Sequence, residues 1–354
     1  MIRKLSFALI AALLVAMLAL GLGAWKLHAV LEQPLQLSEA QTLEVKPGDT
    51  PSGLFQRLER EGLLSDSFWL RLHWRLNLPD QTLHSGEYQL RPEMSAGELI
   101  GLWQRGEVVQ YTLTIVEGWN FRQVRSALAA TPTIKQTLGD LTDREVMARV
   151  GHPALHPEGR FFPDTYSFTR GVTDLELLQR AFSRLEAVLA EEWQQRSEGL
   201  PYREPYEALI MASIIEKETG VPSERGEIAG VFVRRLERGM LLQTDPTVIY
   251  GMGERYTGRI TRSDLRRPTP YNTYTNGGLP PTPIAMVGRE AIHAALHPVD
   301  GKSLYFVARG DGSHVFSDSL TEHNRAVREY QLKRRADYRS SPAKVPATPI
   351  ENVQ

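Results

Sequence analysis

Cysteine is missing from all 354 residues. Its absence removes thiolate nucleophiles, thiolate metal ligands and disulfides together, and leaves the redox compartment open. An excess of charge of one sign is missing too, because 41 Lys and Arg stand against 42 Asp and Glu for a net charge of −1. No basic footprint for nucleic acid results, so any polymer bound here is held by shape and hydrogen bonds. Zinc-protease chemistry lacks its base: His293-Ala294-Ala295-Leu296-His297 puts two histidines on one helical face with no glutamate between them. That pair reads as a surface or capping feature, and no metal or other cofactor is expected. Ser213 and Lys217 are four residues apart, which misses the S-x-x-K spacing, and Gly251-Met252-Gly253 is too short to cradle a phosphate.

What is present begins with one long apolar run. Arg3 and Lys4 precede an uncharged stretch, 5–25, and Lys26 restores a charge. The run is long enough to cross a bilayer. The positive-inside rule then leaves residues 1–4 as a cytoplasmic end and sends the bulk across an inner membrane, with Trp25 at the far interface. Cleavage as a signal peptide is the rival, since Ala19-Leu20-Gly21 and Gly21-Leu22-Gly23 are small-x-small, although the apolar core exceeds a usual signal sequence. The remaining chain, with 42% hydrophobic residues overall, is globular and large enough for two or three modest domains.

Residues 26–40 read as a polar spacer. Thr42 to Thr50 alternates as a strand and ends in Pro47-Gly48-Asp49, and a helix follows with Leu54, Phe55 and Leu58 inward and Gly62 at its stop. Ser67 to Leu76 predicts a second helix, Glu87 to Leu90 a strand, Ser95 to Trp103 a helix with Glu98 in capping-box spacing, and Val108 to Val116 a further strand. The span 41–116 is therefore a small α/β module of two strand-and-helix halves. Its opening, Val45-Lys46-Pro47-Gly48-Asp49-Thr50, resembles the start of a LysM module, a resemblance that implies binding to N-acetylglucosamine-containing glycans; turn chemistry alone explains the same residues.

Residues 117–336 are mainly helical. Helical spacing covers Asn120 to Ala130, Asp174 to Trp193 and Ser223 to Arg238, and Leu304 to Ala308 with His314 to Ser317 predicts a hairpin before a last helix opened by Ser319 and Glu322. The stretch from Leu241 to Pro283 has little periodicity and many Pro, Gly, Thr, Tyr and Asn residues. Long ordered loops of this kind are more often functional than idle. Residues 337–354, rich in Pro and Ala, are expected to be a disordered tail. The whole is an α+β protein.

The chemistry concentrates in one helix. In Glu207 to Gly220 the apolar stripe passes through Ile210, Met211, Ile214 and Ile215, and its next position is Glu218. Glu216 is roughly 200° round from Glu218 and is expected to face solvent. A carboxyl aimed at an apolar face is desolvated, which disfavours its charged form and suits a general acid near neutral pH. A helix-end glutamate that snorkels or pairs with an arginine is the commoner explanation of such a run. The loop that follows carries Gln243, Asp245, Tyr271, Asn272 and Tyr274, residue types that offer an apolar face to a pyranose and partners to its hydroxyl and acetamido groups.

Four segments carry a resemblance: Ala212 to Thr219, Leu242 to Gly251, Tyr271 to Tyr274, and Gly278-Leu279-Pro280-Pro281-Thr282-Pro283-Ile284. They are similar to the successive motifs of the endolytic murein transglycosylases of the MltG (YceG-like) family, over nearly everything from the anchor to about residue 335. The resemblance implies an inner-membrane anchor, a LysM-like module, a lysozyme-like catalytic domain facing the periplasm, and Glu218 as catalyst. It implies cutting of nascent glycan strands with a 1,6-anhydromuramyl product, and association with peptidoglycan synthases. Thr219 stands where many lytic transglycosylases outside the family carry Ser. Two other readings stay open: a lysozyme-like hydrolase with Asp245 as partner carboxylate, and a non-catalytic wall-binding scaffold.

Overall fold

The computed structural model describes residues 2–79 and 81–332. Met1 of the expected cytoplasmic end, the end of the 117–336 span and the expected disordered tail, 337–354, lie outside them. The chain divides into two units, one of residues 1–112 with 167–172 and the other of 113–166 with 173–354. The boundary falls four residues before the 116/117 junction read from sequence.

The first unit opens with α1 (Ile2–Leu31). Its Leu9–Leu31 portion has mean hydropathy 2.0 and is long and apolar enough to cross a membrane. The helix runs six residues beyond Trp25, into the expected spacer. Val30 at the end of this helix and Leu35 beyond it are 3% exposed and belong to the module core, so the stretch packs into the module and is not a polar spacer. The order that follows is β1 (Gln41–Val45), α2 (Pro51–Arg60), α3 (Ser67–Asn77), β2 (Gly86–Leu90), α4 (Ala96–Arg105) and β3 (Tyr111–Thr114). β1 pairs antiparallel with β2 in the register Leu43↔Tyr88, so the two halves expected from sequence share one sheet with both α2 and α3 between its strands. Alternation turns Leu43 and Val45 inward. They meet a core of Leu54, Phe55, Leu58, Leu70, Leu99 and Trp103, with the Phe55 and Trp103 rings 5.1 Å apart. Thr50 caps α2 by accepting from Gly53 N, and Ser95 with Glu98 forms the expected capping box on α4.

The second unit contains α5 (Phe121–Ala129), α6 (Asp143–Val150), part of β4 (Thr165–Phe168), α7 (Asp174–Gln194), α8 (Pro205–Glu218), α9 (Arg225–Glu237), α10 (Asp245–Met252), α11 (Arg262–Arg266), α12 (Arg289–Leu296), the hairpin β5 (Tyr305–Ala308) and β6 (His314–Ser317), and α13 (Leu320–Val327). β3 pairs with β4 and not with β1 or β2. Asn120, Thr142, Thr173, Thr261 and Ser319 each cap a helix in a reciprocal box with the acid or amide three residues on.

α8 is the centre of this unit. Ala208 to Ile215 are all buried, packed among Leu185 and Leu189 of α7, Ile228 and Phe232 of α9, and Ile292 and Leu296 of α12. A helix apolar on every side belongs inside a domain. The apolar stripe seen in sequence is therefore one side of a rod buried all round, and Glu216 is not turned to solvent. It is half-buried and accepts from Gly288 N at 3.2 Å, and its carboxyl is pushed up by burial. The segment before α12 and α12 itself cover the face that periodicity had left free.

Candidate active site

Glu218 is the last residue of α8, with Thr219 beyond it extended at φ −139°, ψ 137°. The buried body of the helix holds this end in place. Burial pushes the Glu218 carboxyl up to about 7, an effect that the nearby negative charge of Asp245 reinforces and that a hydrogen bond from Thr244 and the Arg235 charge oppose. Thr244 Oγ1 donates to Glu218 Oε1. A carboxyl tuned to the operating pH, with one donor fixed on it, is equipped to give a proton and take one back.

The wall facing Glu218 is a threonine cluster. Thr244, Thr247 and Thr273 are 2%, 0% and 2% exposed. Thr244 N donates to Thr273 Oγ1 at 3.1 Å, Thr247 Oγ1 donates to Thr244 O at 2.8 Å, and the Thr247 and Thr273 hydroxyls are 2.9 Å apart. β-Branched residues have few rotamers to lose, and their hydroxyls satisfy the backbone of two loops that lack a ladder. Beneath them lies Arg235, 7% exposed, with Nε on Leu304 O at 2.7 Å and a terminal nitrogen on Leu242 O at 2.6 Å. Neither the threonines nor Arg235 emerged from sequence as site residues. Arg235 had a signal: it continues the buried stripe of Ile228, Val231 and Phe232 by three or four residues, as Glu218 continues that of α8.

The residues expected to bind sugar separate into two groups. Gln243 is exposed and sits at φ +52°, a left-handed conformation uncommon outside glycine, fixed by its N donating to Thr273 O at 3.1 Å. Asp245 is exposed at the start of α10 and accepts from the Tyr274 hydroxyl at 2.6 Å. These three lie beside Thr244 and hence beside the acid. Asn272 is different. It is 1% exposed, its Nδ2 donates to Asp264 O, Leu265 O and Arg267 O, and its Oδ1 accepts from Tyr274 N at 2.9 Å. Its amide holds the loop together and is not presented to a ligand. Tyr271 is half-buried, with its ring 4.7 Å from that of Tyr250 and its hydroxyl 2.9 Å from Thr282 Oγ1. It builds the wall.

A second buried acid is tied to α10 through Tyr250. Glu158 is 4% exposed and accepts from Phe121 N at 3.1 and 3.3 Å and from the Tyr250 hydroxyl at 2.9 Å; burial raises its carboxyl to about 7. From sequence its segment was only an aromatic turn. Ser213 is fully buried, donates to Ile210 O and accepts from Ile284 N, which docks the Gly278 to Ile284 segment onto α8. Glu192, His293 and His297 bring ligand-type atoms within 4.8 Å of one another. Hydrogen-bond partners already engage them: Arg289 and His293 lie on Glu192, and His297 sits over Gln195 O and His293 O at 2.8 and 3.1 Å.

The profile of the YceG-like family matches residues 43–329. An endolytic murein transglycosylase of Bacillus subtilis (strain 168) is 34% identical over 263 residues, which are 70% of this chain and 72% of that protein. Endolytic murein transglycosylases of two Streptococcus pneumoniae strains are 28% identical over 330 residues, 82% of this chain and 58% of theirs. The chain thus spans little more than half the length of the pneumococcal proteins. A crystal structure of a yceG-like protein from Listeria monocytogenes is 31% identical and superposes with a TM-score of 0.51, covering 81% of this chain and 99% of that one.

Proposed function

The chain belongs to the YceG-like family, and from that premise we propose that it is an endolytic murein transglycosylase whose catalyst is Glu218. One observation carries the assignment: a carboxyl poised at about 7 by burial, held by Thr244 at the end of the central helix. Protonated Glu218 donates to the glycosidic oxygen between N-acetylmuramic acid and N-acetylglucosamine, and the C1–O bond breaks. The muramyl C6 hydroxyl oxygen closes on C1 and its proton returns to Glu218, which regenerates the acid. The nucleophile belongs to the substrate, so the reaction needs no second carboxylate. The products are a 1,6-anhydromuramyl end and a free 4-hydroxyl. Gln243, Asp245 and Tyr274 orient the sugar beside the acid; Tyr271 shapes the wall and Asn272 the loop.

α1 anchors the protein in the inner membrane with the catalytic unit in the periplasm, where nascent glycan and the synthases that make it are found. The first unit, with its β-α-α-β order, is a LysM-like module. Mass spectrometry of products from uncrosslinked glycan tests the chemistry. Anhydro ends that disappear in Glu218→Gln support it. Reducing muramic acid ends, one water heavier, would transfer the role to a hydrolase that uses Asp245, whose charge already acts on Glu218. Strands retained but never shortened by the wild type would leave a scaffold.

A further inference from the structure

A groove of about 670 Å³ runs along Pro246, Ile249 and Tyr250 of α10. It is lined by Phe121, Glu158, Lys217, Pro246, Tyr250 and Tyr256 among others. Lys217 and Pro246 are the chain neighbours of Glu218 and Asp245, so the groove starts one residue from the acid on both elements that build the site. Its volume falls within the ~300–1,000 Å³ of ligand-holding pockets. Its floor is fixed: the Glu158 carboxyl pins the first amide of α5 and the Tyr250 hydroxyl together, and Tyr250 is braced edge-on by Tyr271. Its rim is exposed and polar, with Arg122 and Glu254 paired at 2.9 Å and Tyr256 37% exposed. Fixed aromatic faces among hydrogen-bonding groups, with no dominant charge, match a neutral carbohydrate better than a phosphate or a peptide.

We propose that this groove is a second binding section for the same glycan strand, holding sugars on one side of the scissile bond, and that it sets where along a strand the cut falls. The inference rests on the glycan-cutting reading of Glu218. A chain cut internally has sugars on both sides of the break, and a site that grips only the reacting pair has no means of preferring long strands over short ones.

The test uses the full chain in detergent with two probes, long uncrosslinked glycan strands and a muropeptide-free tetrasaccharide. Tyr256→Ala and Arg122→Ala should each raise KM for long strands about tenfold, the loss typical of an aromatic or arginine anchor. kcat should move less than twofold, and the product lengths should shift. KM for long strands within twofold of wild type in both variants overturns the proposal. Binding of uncut long strands is measured separately in the Glu218→Gln background. There Tyr256→Ala should weaken affinity about tenfold if the groove holds glycan, even were the wild type to prove inactive; undiminished affinity sinks the groove and leaves the catalytic assignment standing.

Discussion

Replacing Glu218 by glutamine should stabilise the protein above neutral pH while removing its catalysis. In the folded chain the carboxyl titrates near 7, against 4.5 for the unfolded one. That difference corresponds to about 3 kcal/mol between the two protonation states. Because the folded value is the higher, this contribution is fully present below pH 4.5 and is lost as pH rises through 7. Glutamine keeps the shape and the acceptor for Thr244 but carries no such penalty. At pH 8 the variant should therefore exceed wild type by up to about 3 kcal/mol. For a unit of this size that raises Tm by roughly 6–12 °C, at about 2–4 °C per kcal/mol. At pH 4.5 the two should melt together. Glu158 and Glu216 are the same in both proteins, so their own titration cancels from the comparison. Calorimetry at pH 4.5, 6 and 8, with glycan digestion alongside, reads both quantities. A variant that melts lower than wild type at pH 8, or a Tm gap that ignores pH, would refute the desolvated acid on which the catalytic assignment stands.

Thr244→Val removes the donor that favours the charged form of Glu218, so the alkaline limb of kcat/KM should move up in pH by about one unit, which a pH–rate profile would show. Gly159→Ala should cost about 3 kcal/mol, because its φ is +73° and a Cβ there would lie 2.4 Å from Pro283 Cβ; denaturant melts measure the loss, and a change under 1 kcal/mol would contradict it. Asn272→Asp sets a carboxylate against three carbonyls and should loosen the loop around Tyr274, seen as faster amide exchange there and a several-fold fall in kcat/KM. Asp245→Asn should preserve cleavage with anhydro ends while moving the alkaline limb of the pH profile down; loss of all cleavage would instead favour the hydrolase reading.

Much of the fold was readable because its signals were local. Capping boxes at Ser95 and Ser319 and the alternation at Leu43 and Val45 act within a few residues, and the expected elements stand close to where they fell. β4 and α11 were missed, and so were α6 and α10. α6 is eight residues long with three buried side chains, and α10 opens on Asp245-Pro246 amid loop-forming residues, so neither supplies two full turns of clear periodicity. The run through Glu218 pointed to the acid proposed as catalyst, on a premise about its helix that was only half correct. It supposed one solvent-facing side, whereas long-range packing by α12 and the 283–287 segment buries both. The site's remaining parts were illegible because the Thr273 hydroxyl meets the Thr244 amide and the Thr247 hydroxyl across 29 and 26 residues, and no local pattern records that.

The two acids beside Thr244 stand at opposite poles of their helices. Glu218 closes α8, where the partial negative charge of a helix C-terminus disfavours a carboxylate; Asp245 opens α10. Burial acts on Glu218 in the same direction as its helix, and the Asp245 charge adds to both. In the proposed reaction Glu218 is kept able to donate, and the Asp245 carboxyl beside it has one oxygen occupied by the Tyr274 hydroxyl. A nucleophile or general base on the opposite face of a sugar has to be free to approach it. Asp245, engaged by Tyr274 and coupled to Glu218 through charge, is placed to tune the acid, which is why its amide variant should shift the pH profile and leave the anhydro product intact.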